Sequence, residues 1–509
     1  MNTFDTTLLP NWLIRCAENA PGHLALQCGK VQWSFAELEH QVERLARQLA
    51  TLKVGEGSRV ALLAANGAAY VTCVHALTRL GAILVPLNTR LTLEELTWQV
   101  SDVRASLLIS DPTYATLAKN IEAAIPGLAY VQLITAPEQG DILLQDIAET
   151  TVSLRTLIDL SATQAIMYTS GTTGLPKGVL ISYGMQWWNA IGSALNLGHH
   201  PDDCWLACLP LFHIGGLSIL FRSVIYGISV VVLEKFDPFA VNRAIYEDRV
   251  TIISVVAVML QRMLSALATE QEDRGYPARL RCVLLGGGPA PRPLLEECAR
   301  QHIPVVQTYG LTEACSQAVT LSPADALRKL GSAGRPLLPV QLRIRDHDQL
   351  VPAGVPGVID LKGPTVTSGY ADRPEITAQV LHDGWLSTGD IGYLDEEGYL
   401  YVLDRRSDLI ISGGENVYPA EIESILLAHP DVAEAGVCGQ LDPQWGQVPL
   451  AFVCLHAGCT TSSETLMAYI TQHLARYKQP RAIHLVDHLP RNSSGKLLRR
   501  ELPRLLPDK

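Results

Sequence analysis

The sequence predicts an α/β protein, with a large N-terminal domain of mostly parallel sheets flanked by helices and a small α+β domain behind it. Three observations lead there. Between residues 31 and 110, short apolar runs of strand length alternate with amphipathic stretches of helical period. That alternation places helices on the faces of parallel sheets. Near residue 400 the texture changes at a dense polar patch, Asp404-Arg405-Arg406-Ser407-Asp408, and a run the size of one small domain follows. The chain has 509 residues and is 48% hydrophobic, which excludes a disordered class and gives length for several domains.

The elements follow in order. Ser34-Phe35-Ala36-Glu37 is a capping box, because Ser34 and Glu37 each satisfy an orphan amide at a helix start. Leu38, Val42, Leu45 and Leu49 continue that helix on one face. Residues 60–65 read as a buried strand, 68–80 as a helix and 82–85 as a strand. Thr92-Leu93-Glu94-Glu95 is a second capping box, and 107–109 is another strand. Apolar strands at 165–167 and 282–285 each run into a glycine-rich loop. Beyond 399–403, a further strand, Pro419 suits the first turn of a helix over 420–427. Strands are expected at 432–437, 451–455 and 482–486, with a helix between the last two opened by Thr461 and Glu464.

Lys+Arg is 40 and Asp+Glu is 51, a net charge of −11. That balance argues against a dedicated nucleic-acid binder and still permits a locally positive site for an anionic substrate. Residues 1–10 lack the basic stretch and apolar core of a secretory signal. The most apolar stretch, 209–233, is interrupted by His213 and Arg222, so no membrane span is expected. Eleven cysteines without framework spacing read as reduced thiols, and the expected compartment is the cytoplasm. His199, His200, Cys204 and Cys208 lack the paired spacing of a zinc site and read as loop and core positions.

The segment Tyr168-Thr169-Ser170-Gly171-Thr172-Thr173-Gly174-Leu175-Pro176-Lys177-Gly178 is the most specific. Its glycines let backbone amides turn toward a ligand, its hydroxyls add donors and Lys177 adds charge, a combination suited to a polyphosphate. The Walker spacing is absent.

This loop resembles the phosphate loop of the adenylate-forming superfamily, which includes acyl-CoA synthetases, luciferases and peptide-synthetase adenylation domains. Four more segments resemble that family in its order: Tyr309-Gly310-Leu311-Thr312-Glu313, Ser387-Thr388-Gly389-Asp390, the hinge region 404–408 with Ser412-Gly413-Gly414-Glu415-Asn416-Val417-Tyr418-Pro419, and Pro490-Arg491-Asn492-Ser493-Ser494-Gly495-Lys496. The resemblance implies a β-rich subdomain within an N-terminal domain of residues 1–406 and a mobile C-terminal domain of 407–509. It implies ATP, Mg²⁺ and CoA as ligands.

The implied roles fit the residue types. A carboxylate attacking the α-phosphate of ATP brings two anions together, so a cation is needed between them. Lys496 is the candidate, and one opposite charge at ~4 Å contributes about 4 kcal/mol at an effective dielectric near 20. Glu313 is a hard oxygen ligand suited to Mg²⁺, and Thr312 donates to the α-phosphate. Asp390 accepts from ribose hydroxyls, and Arg405 reaches ribose or phosphate. Tyr309, Gly310 and the run Gly286-Gly287-Gly288 line the nucleotide. Ser407 stands at the hinge, where many relatives carry an acidic residue or lysine. Gly413-Gly414 would form the pantetheine channel, and Tyr477-Lys478 would lie near the nucleotide end of CoA.

Residues 209–227, 284–291, 309–321 and 403–419, with Asn11-Trp12-Leu13, resemble the branch of the superfamily that activates 2-succinylbenzoate. The acyl pocket would then take in His213 as a wall. The second carboxylate of that acid needs a partner, because an unpaired buried charge is costly. Arg222 is the cation of the 209–227 segment, and its alternative place is a helix surface. His213, Ser218, Ser316, Gln317 and glycine amides, acting through water, are the competing donors. Two other classes remain: a different acyl- or aryl-CoA synthetase of the same fold, and a non-catalytic nucleotide- or acyl-binding protein. A homo-oligomer is left open.

Overall fold

The computed structural model describes residues 7–135, 142–169, 176–269, 275–287, 292–326, 328–346, 349–404, 410–417, 419–490, 497 and 499–506. The chain divides into two compact units. One is Met1–Thr89, Val100–Met167 and Gly178–Leu403; the other is Arg90–Gln99, Tyr168–Lys177 and Asp404–Lys509.

Two large sheets carry the N-terminal part. The first has seven strands, in the order Lys177–Ser182, Thr163–Thr169, Ile83–Pro86, Arg59–Leu63, Leu107–Ser110, Ala129–Thr135 and Ile142–Leu144. Its central pairings are parallel and its last is antiparallel. The second has nine strands. From Val305–Tyr309 through Cys282–Leu285, Ile252–Val255, Cys204–Ala207 and Ser229–Val232 to Leu24–Cys28 it is parallel, with antiparallel strands at both margins. Every residue of Ile252–Val255 and Cys282–Leu285 is buried, as befits strands covered on both faces.

The sequence rules locate the helices. Phe35–Thr51 starts at Ser34 with both bonds of the capping box, and Leu38, Val42, Leu45 and Leu49 are buried along it. Fully burying each such side chain contributes about 1.5–3 kcal/mol. Ala68–Leu80 ends at Gly81 in the left-handed conformation that closes helices. Asn11 caps Trp12–Asn19, its Oδ1 accepting from the amides of Leu13 at 3.1 Å and Ile14 at 3.3 Å. The expected β-rich part is a six-stranded sheet, mainly antiparallel, built on Gln341–Asp346, Gly357–Lys362 and Trp385–Leu394.

In the C-terminal unit, five strands pack against the helices Pro419–Ala428 and Ser463–His473. The hairpin Val432–Asp442 and Gly446–Leu455 runs longer than the apolar pattern implies, because its outer half alternates into polar residues. Ser462, not Thr461, caps Ser463–His473. The Thr461 hydroxyl is drawn to the Asp431 carboxylate instead. The Thr92 box forms as expected, with reciprocal bonds of 2.9 and 3.3 Å to Glu95. Lys478, 4% exposed, gives its ammonium to Glu95 Oε1 at 2.8 Å and Glu421 Oε1 at 2.7 Å. Burial opposes its charge, and the two carboxylates outweigh burial and raise its pKa. All eleven cysteines are free. Among the described residues, no helix is long and apolar enough to cross a membrane.

Candidate active site

Tyr309 ends a parallel strand of the second sheet, and the chain then turns back on itself. Leu311 leads into the single turn Thr312–Ala314, after which Cys315 and Ser316 take φ values of 55° and 86°. Left-handed conformations at non-glycine residues cost roughly 1–3 kcal/mol each and gather at functional sites. The loop is held by bonds from Ser316 N to Leu311 O and from Ala318 N to Tyr309 O. Gly310 permits this closure: a Cβ there would stand 1.4 Å from the carbonyl oxygen of Ser316.

Two candidate nucleotide residues are thereby joined. The Tyr309 hydroxyl donates to Asp390 Oδ2 at 2.7 Å, with both residues buried. The Asp390 amide donates to Thr388 Oγ1 at 3.1 Å, and the Thr388 hydroxyl donates to Ile359 O at 2.7 Å. The half-buried Glu313 carboxylate accepts from the Tyr370 hydroxyl at 3.0 Å, and its carbonyl accepts from Thr367 N at 2.8 Å. Tyr370 forms a bridge with Val179 on the strand that leaves the phosphate loop. The sequence offered no motif for Tyr370, whose importance follows from this pairing. A hard carboxylate next to the phosphate-loop strand fits Mg²⁺ by its donor chemistry.

Thr169 ends one strand and Lys177 begins the next. Ser170, Gly171, Thr172, Thr173 and Gly174 between them lie outside the described residues, as do Gly288, Arg405, Ser407 and Lys496. Gly286 follows Cys282–Leu285 and its amide donates to Val255 O at 3.1 Å, which sets Gly286 at the end of the neighbouring strand Ile252–Val255. In the C-terminal unit, Gly413 and Gly414 make the turn between Ile410–Ser412 and Glu415–Val417 at φ 58° and 85°. A Cβ on Gly413 would stand 2.7 Å from the Trp445 ring. The Lys478 ammonium, on the segment expected near the nucleotide end of CoA, is turned inward onto Glu95 and Glu421.

The acyl-pocket candidates separate clearly. His213 is exposed just before the helix Ile214–Tyr226, with Phe212 edge-on at 4.7 Å. Ser218 is buried and its hydroxyl donates to Ile214 O at 2.5 Å, one turn back on its own helix. Arg222 is 2% exposed, so the helix-surface alternative fails. Its Nη2 donates to Asn189 Oδ1 at 2.5 Å, its Cζ lies 5.3 Å from the Trp205 ring centre, and its Nε has no acceptor among the described residues. Burial lowers its pKa. Ser316 is half-buried. Gln317 is buried, and its Nε2 lacks an acceptor among the described residues. Asn189, which no sequence signal singled out, also donates from Nδ2 to Gln317 O at 2.6 Å.

Similarity to known proteins extends over nearly the whole chain. The AMP-binding enzyme family matches residues 13–371, and the AMP-binding enzyme C-terminal domain matches 421–496. A 2-succinylbenzoate–CoA ligase from Geobacillus sp. (strain WCH70) is 50% identical over 502 residues, covering 99% of this chain and 98% of the relative. Three solved structures of o-succinylbenzoate CoA synthetase from Bacillus subtilis are similar. A double mutant with a product analogue is 45% identical with a TM-score of 0.90, over 98% of this chain and 99% of that one. The complex with the acyl-adenylate intermediate is 44% identical with a TM-score of 0.74, over 97% and 98%. The complex with ATP and magnesium is 44% identical with a TM-score of 0.73, over 98% and 100%.

Proposed function

The chain belongs to the AMP-binding enzyme family, and from that membership we propose that it is an ATP-dependent acid–thiol ligase converting 2-succinylbenzoate and CoA to 2-succinylbenzoyl-CoA, AMP and pyrophosphate. Identity of 50% over nearly the full length of a 2-succinylbenzoate–CoA ligase is the observation that carries the reading. In the first step a carboxylate oxygen of the succinyl arm attacks the α-phosphorus of ATP. A P–O bond forms, the bond to the β-phosphate bridge breaks, and pyrophosphate leaves. In the second, the CoA sulfur attacks the acyl carbon, the thiol proton is released, and AMP departs.

Each site residue then has a task. Asp390, held by Tyr309, accepts from the ribose, and Thr312 donates to the α-phosphate. Thr169, Ser170, Gly171, Thr172, Thr173, Gly174 and Lys177 bind the polyphosphate. Gly286, Gly287, Gly288 and Gly310 line the nucleotide, and Arg405 reaches ribose or phosphate. Lys496 stands between carboxylate and α-phosphate. Glu313 would hold Mg²⁺, which supplies charge neutralisation on the phosphates when bound. The domains divide at 1–406 and 407–509, rotation about Ser407 exchanges the two half-reactions, and Gly413-Gly414 admits the pantetheine. The protein acts in the cytoplasm, in menaquinone biosynthesis.

Arg222 pairs with the benzoate carboxylate, and His213 is a wall of the acyl pocket beside Ser316 and Gln317. A buried guanidinium that faces, among the described residues, only neutral groups supports this assignment. ATP–pyrophosphate exchange with 2-succinylbenzoate and with its analogue lacking the aromatic carboxylate tests it. Arg222→Ala should erase the preference for the dianion and scarcely change the analogue. An unchanged preference in Arg222→Ala together with a weakened one in His213→Ala would transfer the role to neutral donors.

A further inference from the structure

Arg222 is surrounded by groups that touch its charge without cancelling it. Asn189 Oδ1 accepts from Nη2, and the Trp205 indole lies against the guanidinium, fixed by its own bond from Nε1 to Ser254 Oγ at 3.0 Å. The ionisable neighbours are neutral as well. Burial pushes the Cys315 thiol up to about 12 and raises the Tyr226 phenol, against the opposing pull of Arg222. Among the described residues, no carboxylate forms an ion pair with Arg222. A buried charge without a partner is strongly destabilising, so an arrangement of this kind leaves room for an anion supplied from outside.

We propose that Asn189 is a positioning residue that keeps Arg222 oriented and un-neutralised, and so makes the acyl pocket selective for dianionic acids. This rests on the assignment of Arg222 to the benzoate carboxylate. The amide fits the task because its two ends do different work. Its oxygen fixes one edge of the guanidinium with a neutral acceptor, leaving the positive charge for the substrate. Its nitrogen donates to Gln317 O, which ties the cation to the loop that carries Thr312, Glu313 and Ser316. A single side chain on the helix Tyr183–Leu197 thus sets the distance between the carboxylate-binding end and the reacting end of the substrate. An aspartate in its place would be nearly isosteric, but it would occupy Arg222 with an internal ion pair.

The test compares wild type, Asn189→Asp, Asn189→Ala and Arg222→Ala in ATP–pyrophosphate exchange, each with 2-succinylbenzoate and with the analogue lacking the aromatic carboxylate. The ratio of kcat/KM for the two acids is read on one preparation, so partial misfolding cancels. Asn189→Asp should raise KM for the dianion about tenfold, equivalent to roughly 1.4 kcal/mol, and leave the analogue's KM nearly unchanged. Asn189→Ala adds no charge but frees the guanidinium, and should weaken the preference for the dianion less than Asn189→Asp does. If Asn189→Asp retains the wild-type ratio while Arg222→Ala loses it, the role given to Asn189 is wrong and that of Arg222 stands. If Arg222→Ala itself keeps the ratio, the underlying assignment is wrong. Equal losses on both acids in Asn189→Asp and Asn189→Ala would reduce Asn189 to packing and overturn the proposal.

Discussion

Gly310→Ala is a one-atom perturbation with a large expected effect. The added Cβ would lie 1.4 Å from Ser316 O, whereas real Cβ atoms essentially never come under 3.0 Å, so the gap must open by 1.6 Å, the difference of the two. The obstacle is backbone, and no rotamer change relieves it. The residues between the clashing points include Thr312, Glu313 and the strained Cys315, so opening the loop moves the candidate phosphate and Mg²⁺ ligands together. Overpacking of this kind costs about 1–3 kcal/mol of stability. A shift of about 1 Å at catalytic groups costs on the order of 10²-fold in rate. Thermal unfolding should show a modest fall in Tm, while ATP–pyrophosphate exchange at a temperature where the variant is folded should fall about a hundredfold. Wild-type exchange in a folded Gly310→Ala enzyme would refute the idea that this closure sets the site.

Two further predictions concern other parts of the molecule. Burial lowers the His75 pKa to about 4 from 6.5, so between these values the unfolded chain binds the extra proton and stability rises with pH. Wild type should therefore lose about 2 kcal/mol between pH 6.5 and pH 5, at about 1.4 kcal/mol per unit, and His75→Leu should lack that part of the loss; identical urea-midpoint shifts in both proteins would contradict this. Lys496→Ala should slow adenylate formation about 10²–10³-fold, the usual cost of one preorganised electrostatic contact, while thioester formation from supplied acyl-adenylate stays largely intact. Equal damage to both half-reactions would remove Lys496 from its assigned place.

The fold was legible wherever a local rule decided the outcome. The helix expected over 68–80 is Ala68–Leu80, and the strand 282–285 is Cys282–Leu285. Periodicity and a glycine stop are sufficient there. Thr461 misled because a nearer carboxylate, Asp431, took its hydroxyl, a competition between residues 30 apart. At the site, the Tyr309–Glu313 segment was readable as a motif. The bond from Tyr309 to Asp390, 81 residues away, was not, nor was the hold of Tyr370 on Glu313. The positive φ of Cys315 and Ser316 has no sequence signature, since neither residue type favours it. Asn11-Trp12-Leu13 stood out only as resemblance, and its physical content is an N-cap. Arg222 showed the limit most clearly, because its sequence allowed either a helix surface or a pocket, and burial removes the first of these.

The inward-facing ammonium of Lys478 also makes this lysine a chemical reporter. Acylating reagents need a deprotonated, reachable amine, and Lys478 is neither while Glu95 and Glu421 hold it. Its labelling rate would follow the opening of the C-terminal unit, whereas exposed lysines label at the speed of the reagent. Isotope-coded labelling followed by peptide mapping would turn that one side chain into a clock for local unfolding.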